Sequence, residues 1–287
     1  MTSEARLAEL VHLSREVGHP ELDLVVLAEG NTSTLLDDRT FFVKGSGARL
    51  ATVEAADFVH VRLDPLLEAA LDDRPCDVRG LFHDALVEGT ASLRPSVETL
   101  LHAVALGLGG ATWVIHTHPT VLTGLLCSSA GEELLLSGPL FPDEAVVCGP
   151  RPLHVPYAEP GIELARAFAR CLTARCDDGG DRPRVVYLAN HGLVALGASA
   201  IEAQAVTTMA VKAARVRLVA STAGGARPLA QACIDAVVSR EDEIQRRAVL
   251  VGEDVAEAIA FLAGPRSQKS TGNIINVDGG VSAADRR

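Results

Sequence analysis

The chain has 287 residues, of which 48% are hydrophobic and 22% charged, with a formal net charge of −11. That length suits one large domain or two small ones, and the apolar share supports a buried core and argues against a disordered chain. The acidic balance argues against a nucleic-acid surface or an anionic membrane face, but a small anionic ligand held by local positive charge stays open.

The opening "MTSEARLAELVHLSREVGHP" is a charged amphipathic pattern and not a basic-then-apolar leader. No apolar stretch is long and charge-free enough to suggest a membrane span. The six cysteines are scattered without a CxxC pair and read as reduced thiols, so a cytoplasmic protein is expected.

In chain order, Leu7, Leu10, Val11 and Leu13 fall at helical spacing, and that helix ends near Gly18-His19-Pro20. "LVVLAEGNTST" predicts a strand running into a Gly-Asn turn, and "TFFVKGSG" a second strand running into a glycine-rich turn. Residues 65–90 read as helical or irregular. "SVETLLHAVALGL" predicts a helix with Ser96 as its N-cap. A strand around Trp113–His118 follows, then a helical "VLTGLLCSS", a β-like "EAVVCG", a β-like "RPLHVPY" and the helix "GIELARAFARCL". A Gly/Asp/Arg/Pro linker over 177–184 leads to the strand and turn of "VVYLANHG", and a long helix covers Ile201–Ala220. Strands alternating with helices predict an α/β domain with helices layered on its sheet. Past residue 264 the chain turns polar and glycine-rich, and a soft boundary is placed near residue 248.

Two apolar strands end in polar clusters: His116-Thr117-His118-Pro119 and Asn190-His191-Gly192. Side chains at i and i+2 of a strand share one face, so His116 and His118 project together. With a third imidazole from His191 they would make a facial set suited to a divalent ion with open positions, and Glu98 would serve as fourth ligand or base. Gly30-Asn31-Thr32-Ser33 and Lys44-Gly45-Ser46-Gly47 offer amides, hydroxyls and one cation to an anion, as does Ser96 at a helix start. Taken singly, each feature also has a plain structural reading: core histidines, an ordinary turn, a first-turn carboxylate, two β-turns and a helix cap.

Together and in order, "EGNTST", "VKGSG", "RPSVETLLHAVAL", "VIHTHPTVLTG", "VPYAEPGIELA" and "LANHGLVALGASAIEA" resemble the class II aldolase/adducin superfamily. The forms "VKGSG", "RPSVET" and "VPYAEPG" are most similar to the rhamnulose-phosphate aldolase domain of bifunctional aldolase/short-chain dehydrogenase proteins. The resemblance implies a layered α/β/α fold with a central, mainly antiparallel sheet over residues 1–248. It implies that His116, His118 and His191 bind a divalent metal, zinc first and Mn2+, Co2+ or Fe2+ as alternatives, with Glu98 as the acid/base. Asn31, Ser46, Gly47 and Ser96 fall where the family holds a substrate phosphate, and Lys44 would hold the anionic end of the substrate. Pro95 stands where sugar-phosphate aldolases often carry a second serine, and neither Tyr157 nor Tyr187 has a clear match to the family's tyrosine.

The tail "EDVAEAIAFLAGPRSQKSTGNIINVDGG" is similar to the closing helix and strand of short-chain dehydrogenases. It lacks the glycine-rich GxxxGxG turn and the Tyr-x-x-x-Lys pair, so residues 249–287 are expected to bind no NAD(P). Its apolar residues Ile259, Ala260, Phe261, Leu262, Ile274, Ile275 and Val277 suggest packing or an oligomer contact. The resemblance implies a homo-oligomer, a tetramer, acting on a small sugar-derived anion. The leading expectation is a metal-dependent aldolase working through a metal-stabilised enediolate. The alternatives are an epimerase, dehydratase or decarboxylase on the same fold, or a non-catalytic adducin-like scaffold.

Overall fold

The structure, a computed structural model, describes residues 2–87 and 93–241. Seven strands form one sheet: β1 (Asn31–Leu35), β2 (Thr40–Lys44), β3 (Phe58–Arg62), β4 (Trp113–Thr117), β5 (Leu153–Val155), β6 (Val185–Leu188) and β7 (Gly192–Gly197). Their order is β3-β2-β1-β4-β7-β6-β5. Every pairing is antiparallel except β5 with β6.

Helices cover both faces. On one side lie α2 (Leu63–Leu71), α3 (Val78–Ala85), α4 (Thr99–Gly107) and α8 (Ile162–Asp177). On the other lie α1 (Ser3–Val17), α5 (Thr120–Leu126), α6 (Gly131–Leu136), α7 (Pro142–Cys148) and α9 (Ala200–Thr222), with α10 (Gln231–Val238) against α7. The expected layered α/β/α fold with a mainly antiparallel sheet is what forms.

The central strand β4 shows why an apolar run carries histidines. Val114 joins a core with Leu100, Val104 and Phe168, while Trp113 and Ile115 join the opposite core with Val206 and Ala210. Both faces of β4 are covered, so all five residues are buried, and His116 lies on the α4 face.

Several local expectations need correction. Leu24–Ala28 form no strand: Asp23, Leu27 and Gly30 have positive φ, and Val26 and Leu27 stand in solvent. The segment instead loops over the end of β4, where the His118 amide donates to Leu24 O at 2.8 Å. The strand begins at Asn31, so Asn31–Ser33 enter the sheet instead of a Gly-Asn turn, pairing with β4 from Asn31 and with β2 from Ser33. "EAVVCG" is helical in α7, where Pro142 opens the first turn with Asp143 and Glu144 and tertiary packing on α9 outweighs the β-branched valines. Helix α4 starts at Thr99 with Glu98 at its cap position, and Ser96 lies in the preceding turn. Strands β3 and β7 and helices α6 and α10 had no counterpart in the sequence reading. The boundary near residue 248 and the dehydrogenase-like tail lie outside the described residues.

Two glycines let loops close on β4. A Cβ on Gly30, at φ +70°, would sit 2.7 Å from His116 O, and one on Gly192 would sit 2.5 Å from Thr117 O and 2.6 Å from His118 Cδ2. Gly192→Ala should therefore lower stability by about 1–3 kcal/mol through overpacking. Gly124→Ala in α5, where a Cβ meets nothing within 4 Å, should be neutral or stabilising. Urea denaturation of the two variants checks this contrast.

Candidate metal centre

Strand alternation, one tight turn and one helix start bring four groups together. His116 is the fourth residue of the buried strand β4, and His118 follows two residues on, facing the same way. His191 sits in the β6–β7 turn, where Asn190 takes a left-handed φ of 53° that reverses the chain. Glu98 is delivered by the start of α4. The ligand atoms of Glu98, His116, His118 and His191 all lie within 4.8 Å of one another.

The three rings form a near-equilateral triangle, with centroid separations of 4.7, 5.0 and 4.8 Å and edge-on orientations. His116 Nε2 is 3.0 Å from His118 Nε2 and 3.3 Å from Glu98 Oε1. His191 Nε2 is 3.1 Å from the same carboxylate oxygen. Glu98 Oε2 accepts from Asn31 Nδ2 at 2.5 Å.

Partners on the outer nitrogens orient two of the rings. His116 Nδ1 donates to Leu193 O at 2.9 Å, which turns its Nε2 inward. His118 Nδ1 faces Glu29 Oε2 at 3.7 Å, a carboxylate steadied by the Val26 amide at 2.9 Å. That arrangement likewise turns His118 Nε2 inward. Two inward Nε2 atoms 3.0 Å apart share a proton or a cation between them. A donor set of three imidazoles and a carboxylate, with the outer nitrogen of His116 held by a carbonyl, fits a divalent ion.

Charge reinforces the geometry. Burial would raise the Glu98 pKa, but His116 and His191 outweigh it and hold the carboxyl well below its usual range. Burial alone would lower His116, yet the Glu98 carboxylate and the Leu193 carbonyl raise it. Burial, with His116 and His191 beside it, pushes His118 down to about 3, so it stays neutral.

The anion-binding expectations fare unevenly. The Ser46 amide donates to Arg94 O at 2.9 Å and Gly45 bridges Pro95, so Ser46 and Gly47 lie beside the segment carrying Ser96. Ser96 Oγ accepts from the Glu98 amide at 3.4 Å. Lys44 does not stand out as the expected cation for a ligand. It is buried, and its Nζ donates to Ala28 O at 3.1 Å and Ala48 O at 2.6 Å, bracing the loop before Asn31 against the loop after Gly47. Burial pushes its pKa down to about 8, against the pull of Glu98 and Asp57.

Sequence reasoning missed two residues. Glu29 faces His118, and His102, one helical turn beyond Glu98, is fully buried with Nδ1 2.6 Å from Ser33 Oγ. Neither belongs to a multi-residue pattern; only the position of His102 four residues after Glu98 hinted at a shared face.

The family model for the class II aldolase and adducin N-terminal domain matches residues 8–218. The chain is 30% identical over 219 residues to methylthioribulose-1-phosphate dehydratase of Bacillus subtilis, covering 71% of this chain and 87% of that enzyme. It is 28% identical over 200 residues to the uncharacterized oxidoreductase YuxG of Bacillus subtilis, covering 66% of this chain but 26% of YuxG, so it spans about a quarter of that relative. Among solved structures, the N-terminal class II aldolase domain of a conserved protein from Thermoplasma acidophilum superposes with a TM-score of 0.60 at 24% identity, covering 76% of this chain and 96% of that domain.

Purified protein should hold about one divalent ion per chain by metal analysis, and His116→Ala should abolish it. Metal binding must displace the His116 proton, so below the raised His116 pKa the apparent dissociation constant for zinc should rise roughly tenfold per pH unit. Competition against a calibrated chelator between about pH 8 and pH 5 reads this; a flat profile would contradict the proton-for-metal exchange.

Proposed function

Because the chain belongs to the class II aldolase and adducin family, we propose that it is a metal-dependent lyase that cleaves or forms a ketose phosphate, or a related hydroxyketone, by aldol chemistry. The family holds aldolases and dehydratases, and membership supports a lyase-type enzyme. The observation that carries the proposal is the Glu98 carboxylate poised 3.1 and 3.3 Å from two of three converging imidazoles.

In this reading His116, His118 and His191 hold the ion through their inward Nε2 atoms. A bound divalent ion supplies Lewis-acid polarisation of a substrate carbonyl and its neighbouring hydroxyl. Glu98 carries the proton: as the C–C bond breaks, the hydroxyl that becomes the aldehyde gives its proton to the ionised Glu98, the electron pair stays on the carbonyl fragment, and that carbon then takes the proton from Glu98. In the condensing direction Glu98 removes the same proton. Asn31 holds Oε2 still, so one carboxylate oxygen is fixed while the other faces the imidazoles. Ser46, Gly47 and Ser96, drawn side by side, are the groups proposed for the anionic end of the substrate, with Asn31 at the inner edge.

Dehydration is the second reading, favoured by the likeness to methylthioribulose-1-phosphate dehydratase. It uses the same proton removal next to a carbonyl, followed by loss of a β-hydroxyl in place of C–C cleavage. Six unpaired cysteines support a reducing, cytoplasmic setting. Among the described residues no helix is long and apolar enough to cross a membrane. A homo-tetramer, and a tail without dinucleotide chemistry, complete the proposal.

The test is a panel of ketose 1-phosphates, including methylthioribulose 1-phosphate, with the metal-loaded chain and mass detection of products. Paired aldehyde and dihydroxyacetone phosphate signals support aldol cleavage, and loss of one water supports dehydration. Glu98→Gln should lower kcat by about 10²–10⁴-fold in either case. A metal-loaded chain inert to the whole panel would overturn both readings.

A further inference from the structure

Strand β1 meets helix α4 through two polar pairs. Asn31 Nδ2 donates to Glu98 at 2.5 Å, and Ser33 Oγ lies 2.6 Å from His102 Nδ1. The spacings match: two residues along a strand advance about 6.8 Å, and four residues along a helix advance about 6.0 Å. The His102 amide donates to Glu98 O at 3.2 Å, so the two rungs stand on consecutive turns of one hydrogen-bonded backbone. A single polar contact would fix one point of the helix on the strand. Two, a turn apart, fix both its slide and its rotation.

Nothing else explains the imidazole. His102 is fully buried, its Nε2 has no partner among the described residues, and its neighbours Leu101, Ala103 and Val104 belong to an apolar core. An aliphatic side chain would suit such a place better, since an incompletely paired buried polar group is costly.

We propose that Ser33 and His102 are positioning residues: their hydrogen bond indexes α4 on β1 so that the Glu98 carboxylate stays on Asn31 and faces His116 and His191. The proposal rests on the metal-centre reading only for its second readout below. Outer partners of this kind alter metal affinity by about 10–100-fold when removed.

The opposite face of the same strand provides a control. Ser14 Oγ lies 2.6 Å from Thr32 Oγ1, tying β1 to α1 away from the four-residue cluster. Ser14→Ala removes a buried hydrogen bond from β1 without touching the α4 side.

The experiment compares Ser33→Ala, His102→Leu, His102→Asn and Ser14→Ala. His102→Asn keeps a polar atom near the Nδ1 position. In the metal-free chain, NMR reads hydrogen exchange of the Asn31 side-chain amide. Ser33→Ala and His102→Leu should speed it at least about tenfold, with Ser14→Ala unchanged and His102→Asn returning toward wild type. In the Co2+-loaded chain, the same two variants should change the visible absorption bands and weaken Co2+ by about 10–100-fold. Should His102→Leu fail to fold, Ser33→Ala decides alone. Asn31 exchange that stays at the wild-type rate in Ser33→Ala overturns the proposal, as does an equal response to Ser14→Ala. Wild-type chain that binds no Co2+ overturns the metal-centre reading alone, and the Asn31 exchange still decides this one.

Discussion

Two imidazole Nε2 atoms turned toward each other at 3.0 Å are the constraint on which the rest of the site depends. Such a contact is repulsive unless a proton or a cation sits between them. The Leu193 carbonyl fixes one ring, Glu29 faces the other, and a third imidazole and a carboxylate close the remaining sides. Each scaffold feature near the site holds this arrangement in place. The β4 run is buried on both faces so that His116 cannot turn away. Gly30 and Gly192 bring loops into backbone contact with β4, and Asn190 takes an uncommon φ so that the turn presents His191.

Polarity in β1 follows the same logic. Asn31, Thr32, Ser33 and Thr34 occupy a central strand where aliphatic residues would be ordinary, and all four are buried. Three of them have side-chain partners on other elements: Glu98, Ser14 and His102. The strand thus acts as a polar rail between two helical layers, and its α4 side carries the carboxylate of the site. Lys44 plays a related part from β2, tying together the loops on either side of it through two carbonyls.

Much of this was legible in the sequence, and the pattern of what was not is physical. HxH on a strand has a period that any reader can apply, so His116 and His118 stood out, and His191 and Glu98 followed from similar strand-end and helix-start contexts. The layered fold followed from alternating elements. "NTST" was misplaced because its residues favour turns locally, and only tertiary partners make them a strand. "EAVVCG" was misplaced for the opposite reason, since two valines suggested β structure that packing on α9 overrode. Strand β7, six residues in all, offered no period beyond its turn. His102 and Glu29 could not be found from spacing, because their roles depend on contacts with Ser33 and His118 that only the fold creates.

X-ray absorption at the zinc edge of the zinc-loaded chain tests the central claim most directly, because it reads the ligands and not the activity. The account predicts three imidazole nitrogens at about 2.0–2.1 Å with the remaining ligation from oxygen. A spectrum without imidazole scattering, or with a sulfur ligand at about 2.3 Å, would contradict it.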